Sequence, residues 1–164
     1  MLRFTALAVT AAVSAYAAAK AVVTLDDKAS QPQMRAAVAQ IEPTAASVAK
    51  AGDGHYWAEA DVDGKAVRFL VDTGASAVAL TPHDAERLGI DTQALDYAYR
   101  VTTASGQTRA AAVRLASISI AGARVTNVDA LVIEDGLQTS LLGMTYLGRL
   151  SRFEATPTTL ILRP

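Results

Sequence analysis

Phe69-Leu70-Val71-Asp72-Thr73-Gly74-Ala75-Ser76 runs from a strongly apolar segment into an acidic residue and then into a glycine turn. The alternation Val67, Phe69, Val71 predicts a strand with one buried face, and Asp72 stands at its end. Burying a lone carboxylate there is costly unless a partner shares its proton or donates hydrogen bonds to it. Gly74 lets the backbone turn sharply and approach other groups closely, and the Thr73 hydroxyl is placed to bond a neighbouring main chain and stiffen the loop.

Upstream, Tyr56, Ala58, Ala60 and Val62 alternate with Glu59, Asp61 and Asp63, again with the period of a half-buried strand. Asp63-Gly64 supplies the positive-φ residues of a tight hairpin turn into the strand that ends at Asp72. Downstream, Val78-Ala79-Leu80 is a short apolar run. Thr81 as N-cap, Pro82 in the first turn, Asp84 near the positive end of the dipole and Gly89 as terminator then predict a helix of about two turns. A second hairpin is expected from 97–103 and 108–115, turning through Ala104-Ser105-Gly106-Gln107. Strands are expected at 117–120 and 125–133 with a turn at Gly122, then a brief helix opened by Leu141-Leu142-Gly143 and ending near Leu150, and a last strand at 158–162. Many short strands with two small helices give a mainly β domain of sandwich or partly closed barrel type.

The flanking composition divides the 164-residue chain into three parts. Met1-Leu2-Arg3 followed by an apolar, alanine-rich stretch through Ala19 has the grammar of a secretory signal, with small-x-small cleavage patterns at Ala15-Tyr16-Ala17 and Ala17-Ala18-Ala19. Residues 1–25 are therefore expected to be a signal peptide or an uncleaved membrane anchor, which puts the rest in the periplasm or at the inner membrane facing it. Residues 26–54 are polar and alanine-rich, with Pro32, Pro43 and Gly52-Asp53-Gly54, and read as a flexible linker with one weak helix around 34–41. The folded domain is expected over 55–164.

Several function classes find no support. The formal net charge is −1 and Lys and Arg form no stripe, so nucleic acid is not expected as a partner. Cysteine is absent, which removes disulfides, thiol nucleophiles and Cys-based zinc sites. His55 and His83 lack a second ligand at metal spacing, Asp61, Asp63 and Gly64 lack the ligand spacing of a calcium loop, and Ser76 and Ser105 have no His-Asp partners. No cofactor and no metal are expected, and Trp57 and the tyrosines read as core or rim packing.

The apolar strand, the Asp72-Thr73-Gly74-Ala75-Ser76 run and the later Leu141-Leu142-Gly143 together resemble the retropepsin-like aspartic proteases, over about residues 57–162. Ser140-Leu141-Leu142-Gly143-Met144-Thr145-Tyr146-Leu147 is similar to a recurring late segment of the bacterial group that carries an export or membrane segment, a linker and one protease domain. Thr103-Ala104-Ser105-Gly106 resembles its flap turn, where Asn is commoner than Ser at the position of Ser105.

The resemblance implies an acid-protease fold, a closed or partly closed β-barrel with one or two short helices and one lobe per chain. It also implies an aspartic endopeptidase acting on envelope or periplasmic proteins. Asp72 is then the catalytic residue, Thr73, Gly74, Ala75 and Ser76 its loop, Thr103, Ala104, Ser105 and Gly106 the flap, and Leu141, Leu142 and Gly143 the loop's support. Hydrolysis by this route uses two carboxylates sharing one proton. Asp53-Gly54, Asp63-Gly64 and Asp135-Gly136 do not repeat the motif, so the second carboxylate is expected from the Asp72 of a second copy in a symmetric homodimer. Strand 158–162 is apolar enough either to interleave in a dimer sheet, as chain termini often do in this family, or to be an edge strand within one subunit. The competing reading is a retropepsin-like module that dimerises or binds peptide without cutting it.

Overall fold

The structure, a computed structural model, describes residues 45–164. The expected export segment, most of the linker and the weak helix at 34–41 lie outside the described residues. Among the described residues no helix is long and apolar enough to cross a membrane.

In chain order the elements are β1 (Ala46–Ala49), β2 (Trp57–Val62), β3 (Lys65–Val71), β4 (Val78–Leu80), α1 (Pro82–Leu88), β5 (Tyr99–Thr103), β6 (Gly106–Ile120), β7 (Ala123–Ile133), β8 (Leu141–Leu142), α2 (Met144–Leu147), β9 (Arg152–Ala155) and β10 (Thr159–Arg163). Seven strands form one sheet in the order β2-β3-β8-β4-β7-β6-β5. A second contact between β2 and β6, pairing Asp61 with Ser119 and Val62 with Ile118, curls this sheet back on itself. The result is the partly closed form of the expected barrel.

The curl buries an inward stripe on β2, β3, β4, β6, β7 and β8. Val62, Phe69, Val78, Leu80, Ile118, Val128, Leu142, Tyr146 and Leu147 are fully buried and form one core. Tyr146 satisfies its phenol inside that core by donating to the Ala123 carbonyl at 2.8 Å. Burial pushes that hydroxyl's ionisation far above its usual range, so it stays a neutral donor.

Local chemistry explains the turns. Asp63 and Gly64 take φ of 51° and 84°, and the Asp63 carboxylate accepts from the Ala116 and Ser117 amides at 3.0 and 2.6 Å. The acidic residue thus ties the β2–β3 turn to the middle of β6. Helix α1 has the caps read from the sequence: the Thr81 hydroxyl accepts from the Asp84 amide at 3.1 Å, and Gly89 ends the helix at φ 93°.

Five features depart from the sequence reading. Ala46–Ala49, assigned to the linker, is a strand paired to β10, with Ala46 and Val48 buried, so the folded domain begins before residue 55. Leu141–Leu142 is a strand and not the start of the late helix, because Leu70 and Val71 on one side and Ala79 on the other supply backbone partners. The expected strands at 108–115 and 117–120 are one unbroken β6. Strand β9 was missed because Phe153 is its one large apolar residue, between exposed Arg152 and Glu154. Finally, β10 is not the edge strand that was one of its two expected places, since β1 and β9 flank it in a three-stranded sheet of the same chain.

Candidate active site

Strand β3 carries Asp72 out of the core, and the next residues turn back at once. The Gly74 amide donates to Asp72 Oδ1 at 2.8 Å, and the Ala75 amide to the Asp72 carbonyl at 3.3 Å. These two bonds fix the direction in which the carboxylate points. The side chain is half-buried and reaches an open groove.

Behind the loop, β8 and the start of α2 act as a clamp. The Asp72 amide donates to the Leu142 carbonyl at 3.2 Å, the Leu70 amide to the Ser140 carbonyl at 2.9 Å and the Met144 amide to the Ala75 carbonyl at 2.9 Å. The Thr145 hydroxyl accepts from the Val78 amide at 2.9 Å. The loop holding Asp72 is therefore bonded at both ends to the segment 140–145.

Ser140 extends the brace to α1. It is fully buried, donates to Asp84 Oδ2 at 2.6 Å and accepts from the Thr81 amide at 3.1 Å. Motif reading did not single out Asp84 and Thr145 as supports. Thr145, like Ser140, lies within the late segment whose likeness to known sequences was noted.

The groove has a volume of about 580 Å³. Its floor is the Asp72 loop, its roof the β5–β6 hairpin, and its far wall the segment Gly136 to Thr139. Leu70, Val101, Leu131, Ile133, Leu137 and Leu141 make the lining largely apolar, and Asp72 is the single ionisable side chain among its lining residues.

The site residues read from the sequence divide into three sets. Asp72, Gly74, Ala75, Ser76, Thr103, Ala104, Ser105 and Leu141 come together around the groove. Leu142 and Gly143 lie buried behind it, as supports, and Gly106 lies outside it with φ 117° at the base of the hairpin turn. That turn is tighter than expected: Thr103 pairs with Gly106, so Ala104 and Ser105 alone form the tip and Gln107 belongs to β6. Thr73 is exposed, and its hydroxyl makes no hydrogen bond among the described residues. The neighbouring main chain expected for it is not found among the described residues.

The wall from Gly136 to Thr139 had no counterpart in the sequence reading. It follows no motif, and it reaches the site only because β7 and β8 deliver its two ends there.

A curled single-lobe β-domain with an Asp-Thr-Gly loop clamped by a Leu-Leu-Gly segment under a hairpin roof defines the retropepsin-like class of aspartic protease folds. Comparison with known proteins agrees. The family described as aspartyl protease matches residues 58–146. An uncharacterized protein of Rickettsia prowazekii is 41% identical over 115 residues, covering 70% of this chain and 49% of the relative. An uncharacterized Sinorhizobium protein is 44% identical over 112 residues, covering 68% and 48%. Among solved structures, a retropepsin-like aspartic protease from Rickettsia conorii superposes with a TM-score of 0.66 at 38% identity, covering 72% of this chain and 89% of that one. The chain belongs to the aspartyl protease family. It spans about half the length of the curated relatives it matches.

Proposed function

We propose that this chain is an aspartic endopeptidase whose active site forms when two copies bring their Asp72 side chains together. The observation that carries this reading is the isolation of Asp72 as the one ionisable group lining a largely apolar, peptide-sized groove. One carboxylate cannot act as base and acid at once, so a second must be delivered to it. Symmetry supports a second copy as the source, since none of the other Asp-Gly pairs repeats the Asp72 motif and a two-fold pairing of identical chains brings two Asp72 side chains face to face.

In the pair, like charges at close range leave one shared proton. The ionised carboxylate takes a proton from water as the water oxygen attacks the peptide carbonyl carbon, and the protonated one gives its proton to the carbonyl oxygen. Return of a proton to the leaving nitrogen then lets the carbon–nitrogen bond break. The clamp from segment 140–145 keeps each carboxylate oriented, and the Ala104-Ser105 tip covers the substrate as a flap. The substrate lies extended in the groove, where strand-like main-chain hydrogen bonds hold it.

The basic start and alanine-rich apolar stretch of residues 1–25 support export, with periplasmic or envelope proteins as substrates and the segment as signal or membrane tether. The test is incubation of the full-length chain with a mixed peptide library, as wild type and as Asp72→Asn, with and without a pepstatin-type inhibitor, alongside sedimentation of both forms. Cleavage is expected only from the uninhibited wild type, with dimerisation in both. Cleavage that survives Asp72→Asn overturns the mechanism, and peptide binding without cleavage in either form makes the chain a binding module.

A further inference from the structure

A second depression of about 400 Å³ adjoins the groove and shares Ala77 and Leu131 with it, so the two make one continuous trough. Tyr99, Val113 and Arg114 form part of its lining beyond those shared residues. Tyr99 is 55% exposed, the large hydrophobic side chain that the described residues leave in water, whereas Tyr146 is wholly buried. A single exposed apolar residue needs no explanation by itself. The register of this one does.

Side chains alternate along a strand, so Tyr99, Val101 and Thr103 share one face of β5. Val101 and Thr103 already line the groove over Asp72, and Tyr99 carries that stripe outward by one two-residue step, about 6.6–6.8 Å. An extended peptide in the trough has the same repeat, so side chains two apart meet Val101 and Tyr99 in turn. Ala77 and Ala112 present only methyl groups there, which leaves room for an incoming side chain. Arg114 and Asp129 satisfy each other at 2.8 Å, so the trough offers a charged side chain no unpaired counter-charge.

We propose, resting on the peptide-cleft reading above, that Tyr99 forms an outer subsite selecting an apolar side chain of the substrate, two residues from the one lying against Val101. Aromatic residues fit it best, because a ring can pack offset or edge-on against the tyrosine. Tyr99 is a specificity-determining residue and takes no part in the bond-breaking step.

The test selects random decapeptides by display on the full-length Asp72→Asn chain, so binding is read apart from cleavage. Enriched peptides are expected to carry two apolar residues separated by one position. Adding Tyr99→Ser is expected to remove the outer preference and weaken those peptides about tenfold while the inner preference stays, and Tyr99→Phe to keep both. An outer preference that survives Tyr99→Ser, enriched peptides without an outer apolar residue, or no enrichment at all overturns the subsite. The enriched peptides are then offered to the chain with Asp72 intact. Peptides bound through Tyr99 but never cut would sink the protease reading alone, and peptides cut without dependence on Tyr99 would sink the subsite alone.

Discussion

A Cβ atom on Gly143 would stand 2.1 Å from the carbonyl oxygen of Ala77 and 2.7 Å from that of Ala75. Both contacts are with backbone of the chain just beyond Asp72, which cannot rotate away. Gly143→Ala is therefore expected to lower stability by about 3 kcal/mol or more, as forced overpacking of a close-packed site does. Urea denaturation of the full chain measures it, and a loss under about 1 kcal/mol would show that the clamp tolerates movement.

The Ser140 hydroxyl ties the segment entering β8 to the N-terminal turn of α1. Ser140→Ala leaves the Thr81 amide without its acceptor and takes a donor from Asp84 in a buried setting. A loss of roughly 1–3 kcal/mol is expected, the range for orphaned buried polar groups. Thermal melts of Ser140→Ala and Asp84→Asn, singly and together, test the coupling. If the two losses simply add, the residues do not act as one network.

Strand β1 makes the N-terminal boundary of the domain a stability question. Beginning the chain at residue 52 removes Ala46 and Val48 from the core and uncovers one side of β10. A cost of roughly 2–4 kcal/mol is expected from the lost apolar burial and ladder bonds. Val48→Asp in the full chain should reproduce most of it. Equal denaturation midpoints for chains beginning at 43 and at 52 would remove β1 from the fold's energetics.

Asp53 gives the turn before β2 a pH dependence. Its carboxylate accepts from the His55 amide at 2.9 Å and the Trp57 indole at 2.8 Å. The His55 amide first, and then the indole, hold its ionisation below the usual carboxylate range. A depressed value means that the contribution is complete above that range and is lost as pH falls through the lowered value. The sole tryptophan reports on it: Trp57 emission should change along that acid limb, and the step should vanish in Asp53→Asn. An unchanged step in that variant assigns the transition to another group.

What the sequence made legible were features written in consecutive residues. The Asp72 loop, the caps of α1 at Thr81 and Gly89 and the turn at Asp63-Gly64 each depend on chemistry within a few positions. The features that escaped depend on distant partners. Leu141–Leu142 is too short to show a period and is a strand only because β3 and β4 lie beside it. Ala46 and Val48 carry too little apolar surface to mark a strand until β10 is there to cover them. The wall of the groove from Gly136 to Thr139 is ordinary loop sequence whose place near Asp72 is set by where β7 ends and β8 begins. Tyr99, read as core or rim packing, is exposed, and the face it shares with Val101 follows from the extent of β5.

Strand β10 is hydrogen-bonded along both flanks, to β1 and to β9. Among the described residues, the rims of that sheet are Ala46–Ala49 and Arg152–Ala155. Any backbone ladder that joins two molecules through it must start at one of these rims. A strand added at either rim would leave both ladders of β10 as they stand, so the C-terminal end of the chain stays locked inside its own sheet.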